Sequence, residues 1–446
     1  MHSLQNHTSP MTRGFPMRFL SIMRQSLPLT MFTLALSSGC LNAAEAPKPE
    51  AARSEVAPAI STDRKVIARC GKGFLEEVGG HKVLHVEGTA YEMGFQHGSL
   101  LKKNVHEMVR YLLDVKSKDL QMEWNGIKFL SPKKLIAGIQ ATQKKFIPQW
   151  YTDELRGLAD GSGVPLEDVA ACNFIPELFH CSGFALTGSA TKNGEMYHGR
   201  VLDYGCDWRL QEHPILMVGR MNGKVPFLNV TYAGFIGSVT GMNAEKISLG
   251  EMGGRGLGKW QGVPMAVLMR WALQEAKTLD QAVSIFRDNP RTCEYYYVIA
   301  DGKSGKGVGM EAGAEVFKTV AMGETHKLLP HSVKDGVVLS AGDRYELLSK
   351  RVKEAHGEID AGKAIRLMDR PVAMNSNLHN VLFETSTTKF WVAHAGSDGS
   401  PAANQPYLGF KFSELLTHKS DPDALELPGP KSDSALTTTS VIKVGP

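Results

Sequence analysis

Cysteine is scarce in this chain: six occur in 446 residues, as Cys40, Cys70, Cys172, Cys181, Cys206 and Cys293. No two stand in C-x-x-C spacing and no Cys/His cluster has the spacing of a zinc site, so no metal-ligand set is expected, and no cofactor motif is legible. A dominant charge sign is missing too. The 50 basic and 46 acidic residues are well mixed and leave a net charge of +4. Without a Lys/Arg block interleaved with aromatics, nucleic acid is not an expected partner. The apolar run over residues 26–38 (SLPLTMFTLALSS) is too short to span a bilayer. Internal repeats are also lacking. What remains is ordinary globular composition, 42% hydrophobic and 22% charged, in a chain long enough to bury a large core.

That short apolar run follows Arg13, Arg18 and Arg24, which is the order of an export signal. Ser37-Ser38-Gly39-Cys40 resembles a bacterial lipobox and would make Cys40 a lipidated first residue, anchoring the protein to a membrane. Ala44-Glu45-Ala46 offers ordinary signal cleavage instead. The expected location is therefore the periplasm or cell envelope, as a lipoprotein, with secretion as the alternative. An exported chain can form disulfides. Cys70, Cys172, Cys206 and Cys293 allow three pairings, and the sequence does not choose among them.

The chain divides into a signal (residues 1–40), an Ala/Pro/Glu-rich disordered linker (41–60), a leading segment (61–180), a catalytic domain (181–417) and a flexible tail (418–446). The leading segment reads as mostly helical. Leu101, Val105, Met108, Val109 and Leu112 mark one helical face, and Gly94-Phe95-Gln96-His97-Gly98 before them supplies two glycines for close packing. After residue 181 the period changes to that of strands. Runs at 184–190, 196–203, 215–220, 225–232 and 247–252 are followed by helices at 263–275 and behind the capping signal Thr278-Leu279-Asp280-Gln281. Strands return at 295–300, 307–311, 316–321 and 337–340, then helices at 343–354 and 360–368, then strands at 380–383 and 390–395. Strands, a helix pair, and strands again predict an α+β fold: two packed sheets with helices outside, a four-layer αββα sandwich.

Cys181 stands at the head of the first strand. The chain turns at Lys192-Asn193-Gly194-Glu195 and returns through His198-Gly199-Arg200-Val201-Leu202-Asp203. One hairpin thus gathers a thiol, a cation and a carboxylate. A free thiol, with a pKa near ~8.5, is mostly protonated at neutral pH. If the chain is cut between His180 and Cys181, the new α-amine, with a pKa of about 7.7–8.0, supplies a base on the nucleophile's own residue. Asp203 suits that amine and Arg200 the thiolate. Residues three apart on a strand face opposite sides, so both reach Cys181 only if a bulge or the strand end intervenes. The residues alone also allow a plainer arrangement, with Cys181 as a small buried hydrophobe and Arg200–Asp203 as a structural ion pair.

Cys181-Ser182-Gly183-Phe184-Ala185, Asn193-Gly194, Gly199-Arg200-Val201-Leu202-Asp203 and Gly241-Met242-Asn243-Ala244-Glu245-Lys246 together resemble the choloylglycine hydrolase group of N-terminal nucleophile (Ntn) hydrolases. The long segment before Cys181 is more similar to the peptidase C45 (penicillin acyl-CoA acyltransferase-like) branch, whose precursor cuts itself before the cysteine. The resemblance implies a self-cleaving amidohydrolase or acyltransferase working through an acyl-enzyme on Cys181, with Arg200 and Asp203 as site residues. It also implies a small amide or acyl substrate and two fragments that stay together. The chain departs from the family at the oxyanion donors. Leu339-Ser340-Ala341-Gly342-Asp343 stands where the family carries Thr-Asn, and Leu249-Gly250-Glu251-Met252-Gly253 where it carries a second Asn. Asn243 and Asn377 are the substitute candidates. Arg344 reads as a surface residue at a helix start, with binding of a substrate carboxylate as the alternative; Cys206 and Asp207 read as pocket residues, and Cys206 equally as a disulfide partner. Two other readings are an envelope protein that kept the fold without the chemistry, and a papain-like hydrolase pairing Cys181 with His379 or His394.

Overall fold

The computed structural model describes residues 56–117, 122–124, 127–130, 132–174, 181–254 and 258–430. The signal, Cys40, the linker up to residue 55, His180 and the last 16 residues (431–446) lie outside the described residues. Among the described residues no helix is long and apolar enough to cross a membrane.

Two sheets organise the body. The larger has eleven strands, in the order Phe317–Ala321, Lys306–Ala312, Tyr295–Asp301, Ile247–Gly254, Thr240–Asn243, Phe227–Tyr232, Pro214–Met221, His81–Gly88, Gly73–Val78, Arg64–Cys70 and Leu425–Leu427. The smaller has six: Gly336–Leu339, Ser182–Gly188, Gly194–Asp203, Asn377–Glu384, Lys389–His394 and Leu408–Lys411. Strand alternation decides which side chains meet between them. Ala185, Met196, Val337 and Leu339 of the smaller sheet pack on Met252, Val298 and Ala300 of the larger. Val381, Phe383, Phe390 and Val392 meet Val218, Leu228 and Val230 further along. The opposite parity, Phe184, Tyr197 and Val201, lies under the helices Asp343–Glu354 and Ala361–Leu367. The outer face of the larger sheet carries Ala90–Leu100, Gln149–Ser162, Met265–Glu275 and Leu279–Asp288. The result is the four-layer αββα sandwich.

Among the described residues the leading segment carries the helices Ala90–Leu100, Lys102–Arg110, Pro132–Gln143, Gln149–Ser162 and Leu166–Asn173 and the short strands Met122–Trp124 and Ile127–Leu130, but it opens on three strands that the periodicity did not reveal. Their pattern is broken by Glu76 and His85, which are buried and bonded to each other. The Gly79-Gly80 turn, with φ of 56° and 86°, is the two-residue hairpin signal that marks them. His81–Gly88 pairs in parallel with Pro214–Met221, Val83 opposite Leu216, so the leading segment is built into the large sheet. The stretch expected to open a flexible tail is held as well. Leu425–Leu427 adds a parallel edge strand to Ala68–Cys70, and His418 bonds to Glu76.

The first leading helix, Ala90–Leu100, begins with a capping box between Thr89 and Glu92. It crosses Gln149–Ser162 at glycines on both sides: a Cβ on Gly94 would strike the Glu154 carbonyl, and one on Gly157 the Tyr91 carbonyl. Beside this contact, Glu154 pairs with Arg270 at 2.9 and 3.2 Å. Both are fully buried, and Arg270 also donates to the Ile236 carbonyl at 2.7 Å. The pair ties the leading segment to the helix Met265–Glu275.

Candidate active site

Cys181 precedes the strand Ser182–Gly188, which pairs antiparallel with Gly194–Asp203 so that Gly183 lies opposite Arg200. The parity problem is resolved at the strand end. Asn377 pairs with Asp203 but His379 pairs with Leu202, a bulge of one residue beside Asp203. Arg200 keeps the inward parity of Met196, while Asp203 turns at the end of the strand, and both act on the Cys181 thiol. A Cβ on Gly250, in the facing sheet, would lie 3.0 Å from Arg200 Cδ, so the glycine leaves room for the arginine.

The thiol is 2% exposed. Burial pushes its pKa well up; the Arg200 charge and a hydrogen bond from the Asp203 backbone pull it down, and the carboxylates of Glu251 and Asp203 push it up again. The thiol is therefore protonated in the uncut chain at neutral pH. Its sulfur lies 3.8 Å from Glu251 Oε2, which also accepts from Arg200 Nη2 at 3.3 Å. Glu251 Oε1 accepts from the Gly253 N–H, and Arg200 Nη1 donates to the Val201 carbonyl at 2.5 Å. Glu251 is the site residue that local pattern did not identify. Its signal is a carboxylate in the apolar strand Ile247–Gly254, where an unpartnered charge would be costly.

Asp203 is equally constrained. Its Oδ2 accepts from Arg344 Nη1 at 2.5 Å and its Oδ1 from the Met374 N–H at 3.0 Å. Burial pushes its pKa up, while Arg344 and the Met374 N–H oppose that shift. Arg344 is not the surface residue expected at a helix start. It is largely buried, and it also donates to the Val372 carbonyl at 3.0 Å. Gly342, with φ of 55°, turns the chain into the helix Asp343–Glu354 and so brings Arg344 over the strand end.

The two asparagines proposed as oxyanion donors have other work. Asn243 donates both side-chain hydrogens to helix-end carbonyls, Leu273 at 3.0 Å and Ala276 at 2.7 Å, and accepts from the Ile247 N–H. Asn377 is adjacent to the site, but its amide nitrogen bonds Leu202, His379 and Asn380, and its oxygen accepts from Ala403. The papain-like reading fails on the same ground. His379 has Tyr232 on one ring nitrogen and Thr240 on the other, each at 2.9 Å. His394 packs edge-on against His379, on a strand three places from the one that Cys181 leads. Asp207 pairs with Lys116 at 2.5 Å and so binds the leading segment. Cys206 lies 3.9 Å from the Asn377 carbonyl, and the described cysteines are all free thiols. His97 accepts from the Gly234 N–H at 2.9 Å, a packing contact.

Cys181 lines a cavity of about 380 Å³ to which strands of both sheets contribute. Met252, Tyr296, Met310, Leu329 and Leu339 form apolar walls; Glu294, Glu311, Lys318 and His326 supply polar groups.

No family model matches the chain. Protein dcd1B of Dictyostelium discoideum is 24% identical over 409 residues, covering 81% of this chain and 81% of that protein. The N-acylethanolamine-hydrolyzing acid amidase of Cavia porcellus is 28% identical over 186 residues, which cover 39% of this chain and 51% of the amidase. Among solved structures, the Caenorhabditis elegans ortholog of such an amidase aligns at 20% identity with a TM-score of 0.39, over 46% of this chain and 93% of its own.

The layer order, with a cysteine heading a central hairpin of the smaller sheet, is the αββα arrangement that the resemblance to Ntn hydrolases implies. The chain's sequence relatives of known activity include N-acylethanolamine-hydrolyzing acid amidases and acid ceramidase, each matched over about two fifths of this chain.

Proposed function

We propose that the protein is an amide hydrolase that cuts its own chain before Cys181 and then uses Cys181 as an amino-terminal nucleophile. The observation that carries this reading is the convergence of Arg200, Glu251 and Asp203 on one buried thiol at the wall of a cavity. In maturation the Cys181 sulfur attacks the His180 carbonyl carbon and gives its proton to Glu251, the carboxylate 3.8 Å away. The peptide C–N bond breaks, the departing α-amine takes a proton, and water hydrolyses the thioester to leave a carboxylate on His180 and a free thiol on Cys181. In turnover that amine accepts the thiol proton, and the thiolate attacks the substrate carbonyl. The amine component leaves with the proton, and water releases the acyl group. Release to an acceptor amine instead gives acyl transfer. Each Asp203 oxygen has one hydrogen-bond partner, and a carboxylate oxygen accepts two, so capacity remains to hold the new ammonium. The relatives that hydrolyse N-acylethanolamines support an amide as the scissile bond.

The leading fragment should stay bound after cutting. Its strand His81–Gly88 lies inside the large sheet, and Glu154–Arg270 crosses between the fragments. We read the amino-terminal signal as export to the cell envelope, with Cys40 as a lipid anchor or with secretion after ordinary signal cleavage.

Intact-mass analysis of the purified protein tests the proposal. Two co-purifying fragments are expected, one ending at His180 and one beginning at Cys181, and Cys181→Ala should give a single inactive chain. An uncut wild-type chain, with Cys181 inert to iodoacetamide at neutral pH, would leave the non-catalytic reading standing.

A further inference from the structure

Away from Cys181, three side chains from distant parts of the sequence converge. Glu76 lies on Gly73–Val78 and His85 on the neighbouring strand His81–Gly88, diagonal across the pair and on one face. His418 arrives 342 residues after Glu76, beyond the short helix Phe412–Leu415. Glu76 Oε1 lies 2.9 Å from His85 Nε2 and 2.6 Å from His418 Nδ1, and the three donor atoms all lie within 4.8 Å of one another. Glu76 and His85 are essentially inaccessible to solvent; the His418 side chain is 20% exposed. Gly73–Val78 is five places along the large sheet from the strand bearing Glu251, about 24 Å at the usual strand spacing. The cluster is therefore separate from the nucleophile.

We propose that Glu76, His85 and His418 form a transition-metal site, with zinc as the fitting ion, that clasps the carboxy-terminal arm to the amino-terminal hairpin. Two imidazoles and one carboxylate suit zinc and its neighbours rather than magnesium or calcium. Zinc bonds of about 2.0–2.2 Å bring ligand atoms to within about 4 Å of one another, which these three reach with small shifts because both rings already converge on one oxygen. Phe74 stacks on His85 at 4.1 Å and fixes that ring. Arg64 holds the other carboxylate oxygen, Nε at 2.7 Å and Nη2 at 2.6 Å, and so directs Oε1 to the imidazoles as an outer-shell partner. The exposed side of His418 gives the ion an entry path and leaves the fourth position to water.

Binding needs both rings neutral, each with its proton on the nitrogen facing away from the ion. The arm beyond His418 is then secured by Arg64 to the Lys419 carbonyl, by Arg69 to Glu426 and by the edge strand Leu425–Leu427. Without an ion the same atoms form a hydrogen-bonded cluster, and the experiment must separate the two.

The full-length protein, stripped with chelator, is titrated with Zn²⁺ by calorimetry and thermal melting, and with Co²⁺ by absorption. The expected result is one Zn²⁺ per chain, a raised melting temperature, a tetrahedral Co²⁺ spectrum and slower proteolysis of the arm. His418→Ala, at a partly exposed position, should weaken binding about tenfold or more and remove the melting shift. His85→Gln checks the buried ligand. Failure of the wild type to bind a stoichiometric ion would overturn the proposal. So would unchanged Zn²⁺ affinity in both variants, which would assign the ion to other surface histidines.

Discussion

At the Cys181 sulfur, burial and two carboxylates outweigh one cation and keep the thiol protonated in the uncut chain; the proposed cleavage would create an amine beside it. Glu251 is then the base available to the uncut chain. Glu251→Gln keeps the shape but loses that base, and it should slow self-cleavage about a hundredfold, the lower range for general-base assistance. A time course of fragment formation from freshly synthesised precursor measures this; cutting at the wild-type rate would show that the proton goes elsewhere. The Asp203–Arg344 pair makes a second claim. Arg344→Ala strands a buried carboxylate and should cost about 3 kcal/mol of stability, read as a lowered urea midpoint, with Arg344→Lys recovering part of it. Cys181, Arg200 and Asp203 were legible because a hairpin is local, and the register follows from its turn. Glu251 and Arg344 arrive from 70 and 141 residues away along the chain, on the opposite sheet and an outer helix, and no spacing along the sequence records that meeting. Asn243 misled for a related reason. Its turn position was readable, but the helix end that takes both its hydrogens was not.

Among elements, Ala90–Leu100 and Gln149–Ser162 approach until their backbones touch through glycine. Gly157→Ala drives a methyl into the Tyr91 carbonyl and should destabilise the protein by about 1–3 kcal/mol, as overpacking does. Gly138 is the control: it is helical and solvent-facing, and a Cβ there meets nothing within 4 Å. Gly138→Ala should be neutral or stabilise by up to about 1 kcal/mol from helix propensity alone. Chemical denaturation of both variants decides whether the contact, rather than glycine as such, sets the cost. Helices with apolar stripes and the strands after residue 181 were readable from period. The three opening strands were not, because Glu76 and His85 occupy buried positions where the alternation calls for apolar residues.

For the whole molecule, histidines with lowered pKa values contribute to the response to acid. Half-buried His81 adjoins the buried His379 and His394, with rings 5.3 Å apart between His81 and His394 and 5.9 Å between His394 and His379. Burial lowers all three pKa values, aided for His379 by the charges of His394 and Arg200 and for His394 by that of His81. His81 is held down to about 4 by burial alone. An unfolded histidine titrates near ~6.5, so below that pH the unfolded chain takes up a proton that native His81 refuses, and stability falls as pH falls. The loss accumulates between about 6.5 and 4 and stops once the folded residue also protonates. Each pH unit in that window is worth about 1.4 kcal/mol for one histidine, or about 3 kcal/mol in all. Carboxylates such as Asp203, whose pKa is raised, act in the opposite direction, so the raw pH profile mixes the two. His81→Phe isolates the histidine. The free-energy difference between variant and wild type, from urea unfolding at several pH values, should grow in the variant's favour on acidification from pH 6.5 and level off near pH 4. A difference that stays flat across that range would mean that His81 protonates in the native state without resistance.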